Sequence, residues 1–233
     1  MKFNTDKCHL IRFTRKLKII DAQYYLGGSQ LTSVTDYSYL GLSFSTDMSW
    51  QKHIGKITNK ANRMLGLLRR NLRNCPRRTR QQAYISLVRP HLEYCNTVWS
   101  PHTKKDIAKV ESIQRRAARF VTQRYRRRDS VTSMLQELEW KSLEWRRNSA
   151  SLALLYKIQH DLVAINPSHY LSPMIQSNTR YYHPCKFQII TSRTQLYGNS
   201  FFPRSVLIWN TLPGAVLTAP SLGAFKGGVS RSL

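Results

Sequence analysis

Twelve carboxylates are the groups from which this chain would have to build a metal-dependent active site: Asp6, Asp21, Asp36, Asp47, Glu93, Asp106, Glu111, Asp129, Glu137, Glu139, Glu144 and Asp161. Two-metal chemistry needs carboxylates that hold ions roughly 3.5 to 4 Å apart, and no two of the twelve are adjacent in sequence. Glu137 and Glu139 come nearest, but on a helix that spacing sends them to different sides. Zinc needs Cys and His clustered at short intervals. Cys8 with His9, and His183 with Cys185, are the candidate pairs, and neither is followed by a second pair. A Gly-rich phosphate loop ending in Lys and Ser or Thr is absent, as is a Ser or Cys in a nucleophile setting. The expected inventory is therefore no catalytic residue, no metal ligand and no cofactor carried by this chain.

Cations are what the sequence does supply. It holds 37 Lys and Arg against 12 Asp and Glu, a formal net charge of +25. Self-repulsion on that scale makes sense chiefly beside a polyanion. The excess is local: from Lys52 to Arg128 there are 21 Lys and Arg against Glu93, Asp106 and Glu111, a surplus of 18 positive charges. Phosphate binding needs Lys and Arg spaced along a surface, each contact releasing counterions. The candidates are Lys52, Lys56, Lys60, Arg63 and Arg70, then Lys105, Lys109, Arg115, Arg116 and Arg119, then Arg124 and Arg126 around Tyr125 in "RYRRR". Tyr125 either stacks on a base or sugar or packs within its own fold. The bland alternative for the whole set is a solvated basic surface.

The elements that must position these cations follow from periodicity. "CHLIRF" and "YSYLGLSF", separated by "GGSQ", predict a small antiparallel sheet. Alternation in "YSYLGLSF" turns Leu40, Leu42 and Phe44 toward a core and leaves a backbone gap at Gly41. From Ser49 the period becomes helical. Trp50, Ile54, Ile57, Ala61, Met64, Leu65, Leu68 and Leu72 fall on one stripe, with Lys52, Lys56, Lys60, Arg63 and Arg70 opposite. Pro76 starts a second helix, which Pro90 should kink near Arg89. A third, after "SPHT", repeats the design, with Ile107, Val110, Ile113, Ala117 and Val121 inside and its cations outside. Three helices on short connections predict a bundle.

Ser130 and Ser142 are read as N-caps, and a helix from Leu143 to about Leu162 carries two apolar stripes. Beyond it, "KFQII" is read as a strand and "PRSVLIWNTL" as a short helix opened by Pro203. The expected fold is mainly α: a helical bundle preceded by a small antiparallel β unit, with an irregular α+β C-terminal segment. Its divisions fall at 1–48, 49–128, 129–165 and 166–233. Without a run of about 18 apolar residues, or a secretory leader, the expected setting is intracellular, with nucleus and cytoplasm left open. Four isolated cysteines then read as free thiols. Basic amphipathic helices also bind anionic membranes, a weaker reading because a bundle core needs each apolar stripe.

Five ordered blocks carry a family resemblance across almost the whole chain. They are "MKFNTDKCHLIRFTRK", "YSYLGLSFSTDMSWQKHIGKITNKANRMLGLLRRNL", "AYISLVRPHLEYCNTVWSP", "DIAKVESIQRRAARFV" and "SFFPRSVLIWNTLP". Together they resemble the C-terminal part of the reverse transcriptase of non-LTR (LINE-type, jockey-like) retrotransposons. The resemblance implies that Tyr39, Leu40, Gly41 and Leu42 lie at the palm edge near a primer grip. It also implies that the helices after them form a thumb, whose cations hold an RNA or DNA template–primer duplex. By the same comparison the paired aspartates of the polymerase lie upstream of "KFNTDKC". The chain is then expected to be an inactive fragment lacking the upstream polymerase domains, with magnesium belonging only to the full-length parent. The alternative is a freestanding basic helical protein that binds RNA or DNA.

Overall fold

The computed structural model describes residues 4–14, 16, 18, 22–176 and 182–233. Asp21 and the first three residues and Arg15 of the first quoted block lie outside them.

The N-terminal strands are short. Strand β1 (His9–Ile11), hairpin β2 (Tyr25–Leu26) and β3 (Ser29–Gln30), β4 (Thr32–Val34), and hairpin β5 (Asp36–Tyr39) and β6 (Leu42–Ser45) form three two-stranded units. Two of these are antiparallel, as expected, but β1 pairs with β4 in parallel, His9 opposite Thr32 and Ile11 opposite Val34. A parallel pair needs a long crossover, and the stretch holding the Gly27–Gly28 hairpin supplies it. "YSYLGLSF" is not one strand. Leu40 at φ 47° and Gly41 at φ 82° make a two-residue turn between β5 and β6, the left-handed pair that matches strand twist in tight hairpins. Alternation therefore breaks at the turn: Leu40 is exposed while Leu42 is buried.

Helix α1 (Gln51–Asn71) buries the anticipated stripe through Ile54, Ala61, Leu65 and Leu68. The second helix is split into α2 (Arg77–Ala83), a π-turn (Tyr84–Val88) and α3 (Arg89–Glu93). Pro90 has no N–H for the Ser86 carbonyl, and its ring would crowd that oxygen. The Arg89 N–H instead reaches back five residues to the Tyr84 carbonyl, and the extra residue removes the clash without ending the helix. Short α4 (Asn96–Trp99) leads to α5 (Lys104–Thr122), capped by the Thr103 hydroxyl. Ser130 and Ser142 cap α6 (Val131–Glu137) and α7 (Leu143–Gln159) as expected.

Two apolar cores result. One gathers Leu42, α1, the π-turn, α5 and α6 up to Leu143; the other begins at Leu152 and continues to Val229. Helix α7 is thus buried along its length by two different partners in succession. The second core is more helical than the sequence suggests, with α8 (Gln195–Gly198), α9 (Phe201–Trp209), α10 (Gly214–Leu217) and α11 (Leu222–Ser232). "KFQII" forms a single antiparallel bridge, Phe187 with Pro173. Asn210 closes the other edge of Phe187 to a further strand: its side-chain amide accepts from the Phe187 N–H and donates to its carbonyl. Arg204 ties the two cores, donating to the Thr97 and Asn199 carbonyls. Burial and the neighbouring Arg147 pull its pKa down to about 10. The four cysteines are free thiols.

Candidate nucleic-acid interface

Helices α1 and α5 run in the same direction. Near their starts, Lys109 Nζ lies 3.6 Å from the place a β-carbon on Gly55 would occupy. Just past their ends, Gln123 Nε2 donates to the Arg73 carbonyl at 2.5 Å. Parallel alignment brings two helix C-termini together, each with unpaired carbonyls and partial negative charge. Buried Arg80 answers them with its fork: Nε and Nη2 donate to the Val121 carbonyl at 3.2 and 2.9 Å, and Nη1 to Arg73 and Cys75 at 3.2 and 2.9 Å. This cation is structural and holds the ends of both helices level.

The predicted cations divide by environment. Lys52 is paired with Asp36 at 2.5 Å, and that contact holds the Asp36 carboxyl below its ordinary range. Lys56 Nζ lies 3.4 Å from the hydroxyls of Ser38 and Ser43. Both lysines therefore fasten the β5–β6 hairpin to α1. Lys60 lies near His91, whose pKa is lowered first by burial and then by that lysine. Arg116 bonds back to Ser112 on its own helix. Arg124 pairs with Glu137, which also holds Arg77, so its charge is already matched. The Arg126 N–H donates to the Asp129 carboxylate while its side chain is exposed. Arg63, Arg70, Lys105 and Arg115 are exposed, and Arg119 is half-buried.

At the joint C-terminal end of the pair opens a cleft of about 770 Å³. Arg69 and Arg70 line it from α1 and Arg73 from the turn after it; Phe120, Gln123 and Tyr125 line it from α5 and the residues after it. Gln123, at φ 56°, ends α5 in the left-handed conformation, and Arg124 is anchored on Glu137. Directly after those two fixed points Tyr125 is presented to the cleft, with the Arg69 guanidinium 5.6 Å from its ring centre, a cation–π contact. The sequence pointed to Arg70 and Tyr125 but missed Arg69 and Arg73. Arg69 falls on the same solvent face of α1 as Arg70 on a helical wheel and could have been read from it, whereas Arg73 lies in the turn beyond the helix, where no helical period applies.

Of the four residues for which the resemblance implies a palm edge, Tyr39 and Leu40 are exposed and Leu42 is in the core. Gly41 is not bare: a β-carbon there would lie 3.4 Å from the Tyr94 ring, and the Tyr94 hydroxyl donates to the Leu40 carbonyl at 3.1 Å.

Comparison with protein-family models, curated proteins and solved structures finds no match to this chain.

Among the described residues, no group of three or more His, Cys, Asp or Glu could hold a metal ion. The Cys185 N–H donates to His183 Nδ1 at 3.2 Å. No helix of the described residues is long and apolar enough to cross a membrane.

Proposed function

We propose that this protein grips RNA or DNA across the solvent faces of α1 and α5. It would do so as the thumb of a non-LTR retrotransposon reverse transcriptase holds a template–primer duplex, without residues for the polymerase chemistry. The supporting observation is where the carboxylates go. Helix α1 has none. In α5, Asp106 serves the Thr103 cap, and Glu111 accepts from the Glu144 N–H at the start of α7. Glu93 is taken by Arg89 and Arg146, and Glu137 by Arg77 and Arg124.

Among the described residues, no carboxylate pairs with Arg63, Arg70, Lys105, Lys109, Arg115, Arg116 or Arg119. A merely soluble surface intersperses both signs; this one sorts its acids into structural tasks and leaves the cations to a polyanion.

Replacing Arg115, Arg116 and Arg119 together by Glu tests the assignment. Duplex affinity should fall, and its salt dependence should become shallower by about one log unit per log unit of salt for each phosphate no longer engaged, with far-UV dichroism and Tm unchanged. Undiminished affinity in the folded variant would place the binding surface elsewhere. A primer–template junction bound more tightly than plain duplex favours the thumb reading; equal binding favours a freestanding RNA/DNA-binding protein.

A further inference from the structure

Resting on that reading, we propose that the cleft at the end of α1 and α5 takes one unpaired nucleotide where a strand leaves the duplex. Its base would stack on Tyr125, and its phosphate would meet Arg70 and Arg73.

Three features of the cleft fit this ligand better than continuous duplex. It is a concavity within the range of small-ligand pockets, not an extension of the helix faces, and no carboxylate lines it. The backbone carrying its aromatic is held on either side, by the Arg124–Glu137 pair before it and by the Arg126 N–H donating to the Asp129 carboxylate after it, yet Tyr125 keeps 52% of its surface exposed. Tyr84, which packs under Trp140, is by contrast fully covered. Finally, the Arg69 guanidinium stacked on Tyr125 adds a cation beside the ring, the combination with which proteins hold single strands. Inside a duplex both faces of a base are covered by neighbours in the stack, so only a base at or beyond the duplex end can use such a platform.

The test uses the full chain and two RNA–DNA hybrids, one blunt and one ending in a single unpaired 2-aminopurine. The overhang should bind about 5- to 150-fold more tightly, the range of one base–aromatic stack, with quenched 2-aminopurine fluorescence. Tyr125→Leu should abolish both the preference and the quenching while leaving blunt-duplex affinity and its salt dependence in place. Tyr125→Phe should keep both. Tight, salt-sensitive binding of the blunt hybrid with no preference and no quenching would overturn the nucleotide cleft and leave the helix-face reading standing. Failure to bind either hybrid would overturn both. Loss of binding to phosphoinositide-containing vesicles in Tyr125→Leu, with overhang binding untouched, would reassign the cleft to a lipid headgroup.

Discussion

His53 illustrates how far one residue's role depends on what folds around it. Its Nδ1 accepts the Ser43 N–H at 3.3 Å, and its ring lies between Trp50 and Trp99. Burial, and secondarily Lys56, bring its pKa down from 6.5 to about 4. The folded protein therefore holds this imidazole neutral where the unfolded chain protonates it. Its stabilising contribution is complete above about pH 6.5, declines as the pH falls toward 4, and changes no further below that. The Tm of wild type should drop across this window more than that of His53→Gln; parallel curves would contradict the assignment. His91 is shifted in the same direction and remains in both proteins, so the difference isolates His53. Nothing in the sequence marks His53 as the hairpin's anchor, because its partners come from another element. Arg80 was equally illegible: by composition it is one more cation in a basic stretch, and only the convergence of two helix ends gives it a buried task.

At the scale of elements, the sequence was most readable where the apolar period is long. The stripes of α1 and α5, the irregular helix turn ahead of Pro90 and the caps at Ser130 and Ser142 all follow from local chemistry. It was least readable where a few residues decide. "YLGL" looks like a strand interior because Leu alternates with small and aromatic neighbours, yet a turn needs only Gly41 and a tolerant Leu40. Of the helices after Leu171, α9 is legible in "PRSVLIWNTL", though it begins at Phe201, ahead of Pro203, while α8 and α10 have four residues each and lack the length for a periodic signal. The burial of α9 and α11 comes from Trp209 and Phe225 meeting α7. Gly41→Val tests the turn. A β-branched residue at φ 82° is strained, and its side chain would press on Tyr94. The cost should be about 1–3 kcal/mol, read as a lower denaturant midpoint with unchanged slope. An unaltered midpoint would mean that the hairpin is not held in this conformation.

The whole molecule joins two cores through α7, with the positive charge concentrated on the first. Sequence conveyed that asymmetry and the helical character of the fold, but not the parallel run of α1 and α5, which pairs their cations into one surface and places the Tyr125 cleft at its end. Pairing of that kind is a tertiary property, set by the return path of α2 and α3. If the surface serves nucleic acid, binding must release counterions from several phosphates at once. The direct measurement is fluorescence anisotropy with an RNA–DNA hybrid as salt rises from about 50 to 200 mM. Six to ten phosphate contacts predict a loss of affinity of roughly a thousandfold or more, with a folded far-UV spectrum throughout. A flat response, or no binding by the folded protein at low salt, would contradict the nucleic-acid-gripping surface.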